Sequence, residues 1–145
     1  MDNKRIKSRK LLEQRVIFDG MNYNLRGVVR VPMTDIDGLL DASGKAWIIY
    51  ECKYGDNQPP LGQKITLESL AKDISSKNKP VVVFVCSHNE PKDKEEVYLK
   101  DCIVTSIYVN GKWIYPIKEY GKGYNVKAIT DMFLSKYAPE MIIKW

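Results

Sequence analysis

At 145 residues and a formal net charge of +5, the chain is long enough for one domain with its own core, and its positive balance suits a polyanionic partner without requiring one, since many basic proteins bind no nucleic acid. Apolar residues make up 44% and charged residues 28%, the mixture of an ordinary globular protein, and no window approaches the run of roughly 18 apolar residues that a membrane span needs. Three cysteines without a Cys-x-x-Cys pair and a single histidine, His88, leave little material for a disulfide framework, a zinc cluster or a histidine-based triad.

In chain order, Met1-Asp2-Asn3-Lys4-Arg5 is too charged to open a signal peptide, so a cytoplasmic protein is expected. Lys4 to Val16 reads as a short basic helix, with Leu12 and Val16 on one side. The cluster Lys4, Arg5, Lys7, Arg9 and Lys10 is either a solvated face or a set of phosphate contacts. Asp19 to Asn22 is turn-rich, and Leu25 to Val31 is extended until Pro32 stops it. Ile36 to Leu40 and Ala46 to Lys53 read as two strands, joined through Ala42-Ser43-Gly44-Lys45 as an antiparallel hairpin.

The loop Gly55 to Pro60 cannot continue a strand. Leu67, Leu70, Ala71 and Ile74 then give helical periodicity within Leu61 to Ser76. Pro80 to Cys86 is apolar throughout, the pattern of a central parallel strand reached by a helical crossover. Asn89 to Glu96 is a charged loop, with His88 before it read as a surface residue. Asn110-Gly111 marks a second hairpin, and Val126 to Tyr137 a closing helix capped by Asn125, with Val126, Ile129, Phe133 and Tyr137 as its stripe. The sum is a single α/β domain over residues 1–145, with a mixed sheet, an α-β-β-β-α-β core flanked by helices, and a C-terminal hairpin and helix.

Strand alternation puts Asp35, Asp37 and Asp41 on one face of the first strand of that hairpin, and Glu51 and Lys53 on one face of the next, with Trp47 and Ile49 behind them. Ile48, Tyr50 and Cys52 point the other way. A carboxylate ending an apolar strand needs a partner. Glu51 and Lys53 pairing with each other would suffice. The alternative uses Asp37 and Glu51 together, with the Cys52 carbonyl oxygen, to hold Mg²⁺ or Mn²⁺, while Lys53 orients an attacking water and offsets charge on a phosphorane. Gln63 falls on the apolar stripe of the following helix, near the strand end carrying Lys53. Its amide serves either that site or a hydrogen bond at the helix start.

Asp35-Ile36-Asp37-Gly38-Leu39-Leu40, followed by Ile48-Ile49-Tyr50-Glu51-Cys52-Lys53, resembles the PD-(D/E)XK nuclease superfamily over roughly Leu25 to Ser87. That resemblance implies a restriction-endonuclease-like fold, metal binding by Asp37 and Glu51, catalysis by Lys53 and support from Gln63. It also implies a phage-type nuclease acting on nucleic acid, DNA before RNA, often as a homodimer, and in the compact size a structure-directed rather than sequence-specific cut. The proline of the family pattern is displaced: Pro32 precedes Met33, Thr34 and Asp35, so Asp35 competes with Asp37 as ligand, and Glu13 is either an added helix carboxylate or a surface residue. Two other classes compete: a catalytically inactive nucleic-acid-binding module on the same fold, and a protein-interaction factor using the aromatic hairpin from Tyr98 to Pro116. Trp113, Tyr115 and Tyr120 there are read as core or edge packing before base stacking.

Overall fold

A computed structural model describes residues 23–25, 29–31, 36–91, 96–141 and 143–145. The chain packs as two compact units, Met1–Met33 and Thr34–Trp145. In the first, β1 (Tyr23–Leu25) and β2 (Val29–Val31) form an antiparallel pair with Leu25 opposite Val29. The one extended segment expected over Leu25 to Val31 is therefore corrected to a hairpin. Among the described residues its strands pair only with each other, outside the main sheet, so the expected three-stranded meander has two strands there. Backbone groups that pair within a hairpin need no sheet edge to satisfy them, which apolar content alone does not reveal. The helix expected over Lys4 to Val16, its basic cluster, Glu13, the turn at Asp19 to Asn22 and the rival ligand Asp35 lie outside the described residues.

The second unit is a mixed six-stranded sheet in the order β3-β4-β5-β6-β7, with β8 also pairing β6. Strands β3 (Gly38–Asp41) and β4 (Trp47–Tyr54) are antiparallel, with Gly38 opposite Tyr50 and Asp41 opposite Trp47. Ser43 and Gly44 both take positive φ, 52° and 74°, the backbone of the tight turn whose twist matches a hairpin. The first strand starts two residues later than its sequence suggests, at Gly38. Helix α1 (Leu61–Ile74) then crosses over to β5 (Val81–His88), which runs parallel to β4 with Glu51 beside Val85 and Lys53 beside Ser87. A parallel neighbour demands such a crossover, and the apolar run of β5 is what burial on both faces requires.

Strand β6 (Ile103–Val109) returns antiparallel to β5, with a register shift between Val85 and Cys86, and turns through Asn110-Gly111 into β7 (Lys112–Ile114). Asn110 and Gly111 also have positive φ, 52° and 80°. Besides a 3-10 turn at Leu99–Asp101, two short elements escaped the sequence reading. These are α2 (Pro116–Tyr120), begun by proline at its first position, and β8 (Tyr124–Asn125) against Ile103 and Val104. Helix α3 (Val126–Tyr137) starts where expected, Asn125 Oδ1 accepting from the Ala128 N–H at 2.8 Å. Among the described residues no helix is long and apolar enough to cross a membrane.

Two cores result, one on each face of the sheet. Ile49, Val81, Val83 and Tyr108 pack with Leu67 and Ala71 of α1. Ile48, Tyr50, Val82, Phe84 and Cys86 pack with Val126 and Leu134 of α3. The buried positions of α3 are Val126, Thr130 and Leu134, and the expected stripe continues through Ile129, Phe133 and Tyr137, which pack half-buried against the same core. Thr130 joins the buried line because its hydroxyl has a partner there. Tyr50 Oη and Thr130 Oγ1 are 2.8 Å apart with Thr130 fully buried, and burial pushes the Tyr50 phenol up to about 12 despite that hydrogen bond.

Removing one partner leaves the other unsatisfied, whereas removing both leaves an apolar contact. Tyr50→Phe is expected to lower stability by about 1–2 kcal/mol, the Thr130 hydroxyl recovering part of the loss by bonding back to its own helix. Adding Thr130→Val should restore most of the difference, so a urea-unfolding double-mutant cycle measures the coupling. Additive losses would contradict it.

Candidate functional site

Side-chain alternation on β4 sends Trp47, Ile49, Glu51 and Lys53 toward α1, and Ile48, Tyr50 and Cys52 toward α3. The strand carries a carboxylate into the α1 core at the point where β3 has ended. Glu51 is only 2% exposed. Its Oε1 pairs with Lys53 Nζ at 3.0 Å, the Lys53 side chain being 21% exposed, so the simple pairing read from the sequence is present. It satisfies half of the carboxylate. Oε2 is buried and has no hydrogen-bond partner.

Asp37 sits in the bend just before β3 and not on the strand as expected. It reaches the same place because its Oδ2 accepts the Cys52 backbone N–H at 2.7 Å. An extended residue points its N–H and C=O to the same side, so the Cys52 carbonyl is also directed toward Asp37, beyond the paired part of β3. Asp37 is exposed, which leaves its second oxygen available.

Gln63 lies in the first turn of α1, four residues before buried Leu67. Its Oε1 is buried without a hydrogen-bond partner, so the amide oxygen makes no helix-start bond. Pro60 precedes the helix with no side-chain cap, and the first turn holds no acid, so the positive end of α1 is uncompensated where Gln63 sits. Burial raises the Glu51 carboxyl above the ordinary glutamate range. The hydrogen bond from Lys53 opposes this, the charge of Asp37 adds to it, and the Gln63 amide opposes it in turn. Lys53, Asp37 and Gln63 are thus each close enough to act on Glu51.

Asp37, Glu51, Lys53 and Gln63 therefore converge at one end of the sheet. Asp41 does not join them. It is exposed at the hairpin turn, where it accepts from the Gly44 N–H and pairs with Lys79 at 2.9 Å, contacts that lower its pKa, the Lys79 hydrogen bond first. His88, expected on the surface, is half-buried, its ring edge-on to Tyr54 at 5.6 Å and its Nδ1 accepting the Glu90 N–H. The free thiols Cys52, Cys86 and Cys102 lie on the opposite face. A hydrogen bond with Cys102 lowers the Cys52 thiol pKa, but Cys86 and burial outweigh it and push it up to about 12, so this sulfur stays protonated and unreactive.

Beside Glu51 the face of the sheet opens into a pocket of about 240 Å³, with Val85 and Ser106 on its floor and Gln58, Lys64, Trp113 and Tyr115 around it. Lys64 Nζ donates to Tyr115 Oη at 3.1 Å and lies 4.8 Å from the centre of the Trp113 ring, whose Nε1 donates to Glu68. Trp113 packs against Tyr108, as its alternating position suggested, yet also borders this pocket. Lys64 and Gln58 were not singled out from the sequence. Gln58 sits in a loop, and Lys64 was readable only as the neighbour of Gln63.

Two buried acceptor oxygens without donors, on Glu51 and Gln63, beside an exposed carboxylate, form a place that a hydrated cation would satisfy. Among the described residues no group of three or more His, Cys, Asp or Glu side chains gathers to hold a metal. Two carboxylates and one carbonyl constitute a hard oxygen set that fits Mg²⁺ or Mn²⁺, ions that keep several waters, and does not fit zinc. Comparisons with protein-family models, with curated proteins and with solved structures found no match for the chain.

Proposed function

We propose that the chain is a divalent-metal-dependent nuclease on a restriction-endonuclease-like fold, hydrolysing phosphodiester bonds of DNA by structure rather than sequence. The observation that carries the reading is the pair of buried, donorless oxygens, Glu51 Oε2 and Gln63 Oε1, beside Lys53 and Asp37. Asp37, Glu51 and the Cys52 carbonyl would hold the metal. Bound Mg²⁺ or Mn²⁺ supplies Lewis acidity toward a phosphoryl oxygen and lowers the pKa of water.

The chain's own groups do the rest. The Cys52 N–H fixes the Asp37 carboxylate at the strand end, so its orientation is set before substrate arrives. Lys53 carries three N–H donors on a partly exposed stem, suited to orienting water and to opposing negative charge gathering on phosphoryl oxygens. Gln63, on a rigid helix, offers an amide for the water or phosphate between helix and sheet. The uncapped start of α1 adds a positive end to the same region.

A second reading, a catalytically silent nucleic-acid-binding module on this fold, is favoured by the 3.0 Å Glu51–Lys53 pair, which needs no metal. One assay separates the two. Purified protein with Mg²⁺ or Mn²⁺ is expected to nick or cut at least one member of a panel of linear, branched and single-stranded DNA and RNA, and to lose this in EDTA. Salt-sensitive binding that survives Glu51→Ala, with no cleavage of any substrate in either metal, would favour the silent module.

A further inference from the structure

The pocket beside Glu51 does not end there. A second one, of about 420 Å³, shares Gln58 and Tyr115 with it and is lined further by Asp56, Thr105, Ile117 and Lys118. The two form one groove, with Lys64 at the inner part, Lys118 at the outer part and the Tyr115 ring between. The register shift of β6 against β5 at Val85 and Cys86 lies at its floor, where the Thr105 hydroxyl bonds back to the Val85 carbonyl at 3.2 Å. Val85 is the register neighbour of Glu51, so the inner pocket begins one strand away from the candidate metal ligands.

The lining has a definite chemistry. Among the described residues no carboxylate forms an ion pair with Lys64, and its ammonium is held over Trp113 and against the Tyr115 hydroxyl. Ser106 is buried, with its hydroxyl 3.5 Å from the Gln58 amide oxygen. A cation, an amide, a hydroxyl and aromatic faces are the groups that meet a phosphate, a base edge and a base face. The inner pocket has the volume of about eight waters, at roughly 30 Å³ each, room for one ring system and not for the side of a duplex. A base can lie on Tyr115 only if its own stacking partner has left. Among the described residues Asp56 is the one acid lining the groove and Lys118 the one cation of its outer pocket, so backbone contact there falls to Lys118.

We propose that this groove is the track of an unpaired nucleic-acid strand, which passes Lys118, stacks a base against Tyr115, sets a phosphate on Lys64 and reaches the Glu51–Lys53 end of the sheet. The proposal deepens the nuclease reading and rests on it for what the strand meets there. It names the substrate class as single-stranded or locally opened nucleic acid.

The test is binding without chemistry. Fluorescence anisotropy in EDTA would follow labelled oligo(dT), oligo(U) and a blunt duplex, each of about a dozen nucleotides. Both single strands should bind at least about tenfold tighter than the duplex, and any preference between them reads the sugar and the thymine methyl group together. Lys64→Ala and Tyr115→Leu should each weaken single-strand binding about tenfold, and Lys64→Ala should lower the salt slope by roughly 0.7. Lys64 is outside both cores and keeps the test decisive should Tyr115→Leu unfold. Equal or tighter binding of the duplex, or single-strand affinity unchanged in Lys64→Ala, would overturn the track. Glu51-dependent cleavage indifferent to Lys64→Ala removes the track alone. Lys64-dependent single-strand binding with no cleavage of any substrate removes the nuclease alone.

Discussion

Replacing Lys53 with arginine is expected to lower metal-dependent cleavage by about 10²–10³-fold while leaving the fold and metal binding in place. Arginine keeps the positive charge that Glu51 Oε1 meets at 3.0 Å, so the buried carboxylate retains its partner. It does not keep a compact ammonium that turns three donors toward a water and a phosphoryl oxygen. Lys53→Ala should reduce cleavage at least as far, but it also strands Glu51 with neither oxygen satisfied, a loss of about 1–3 kcal/mol. Comparing the two separates chemistry from support. If Lys53 only neutralised Glu51, arginine would restore both stability and cleavage. If it acts on the reacting groups, arginine restores stability alone. Single-turnover cleavage and urea unfolding, run on both variants, read these two quantities. Wild-type cleavage in Lys53→Arg would reduce Lys53 to a structural counter-ion.

Much of this site was legible because strand alternation is a strict period. Once Trp47 to Lys53 was read as a strand, Glu51 and Lys53 had to share a face, and the structure puts that face against α1. The apolar run from Val81 to Cys86 likewise announced a central strand, and the i, i+3, i+4 spacing after Gln63 announced the helix that seats the amide. What was not legible depends on pairing at a distance. Gly27, between Leu25 and Val29, is a local turn signal, but nothing there says whether the pair joins the main sheet. The bend at Asp37 is held by the Cys52 N–H, a contact fifteen residues away, and not by strand geometry. Burial of Thr130 follows from Tyr50, eighty residues earlier. The groove was invisible for the same reason, since Gln58, Lys64, Ser106 and Tyr115 come from a loop, a helix, a strand and a strand end. Gln58 and Lys64 are near neighbours in sequence, but nothing local to them announces Ser106 or Tyr115 across the groove.

Glu51 makes the strongest link between metal, proton and stability. In metal-free solution its folded pKa is raised, chiefly by burial, so between the ordinary value near about 4.3 and that raised value the folded protein holds a proton that the unfolded chain has released. Stability then falls as pH rises through this window and levels off above the folded pKa. Metal bound at Glu51 would reverse the trend, because a carboxylate must be deprotonated to bind it, so affinity would increase over the same interval. At a concentration 100 times Kd, Mg²⁺ or Mn²⁺ is expected to add about 2.7 kcal/mol, a rise of roughly 10 °C in Tm, with most of it absent at the acid end of the window. Glu51→Gln removes both effects together. Its neutral amide can donate toward the stranded Gln63 Oε1, so the metal-free variant should be more stable than wild type by about 1 kcal/mol, no longer respond to metal and lose the slope with pH. Thermal unfolding with and without metal across this pH range measures all three. A variant that still gains stability from metal would place the binding site elsewhere, and a wild type indifferent to metal at neutral pH would leave the two donorless oxygens to be satisfied by water alone.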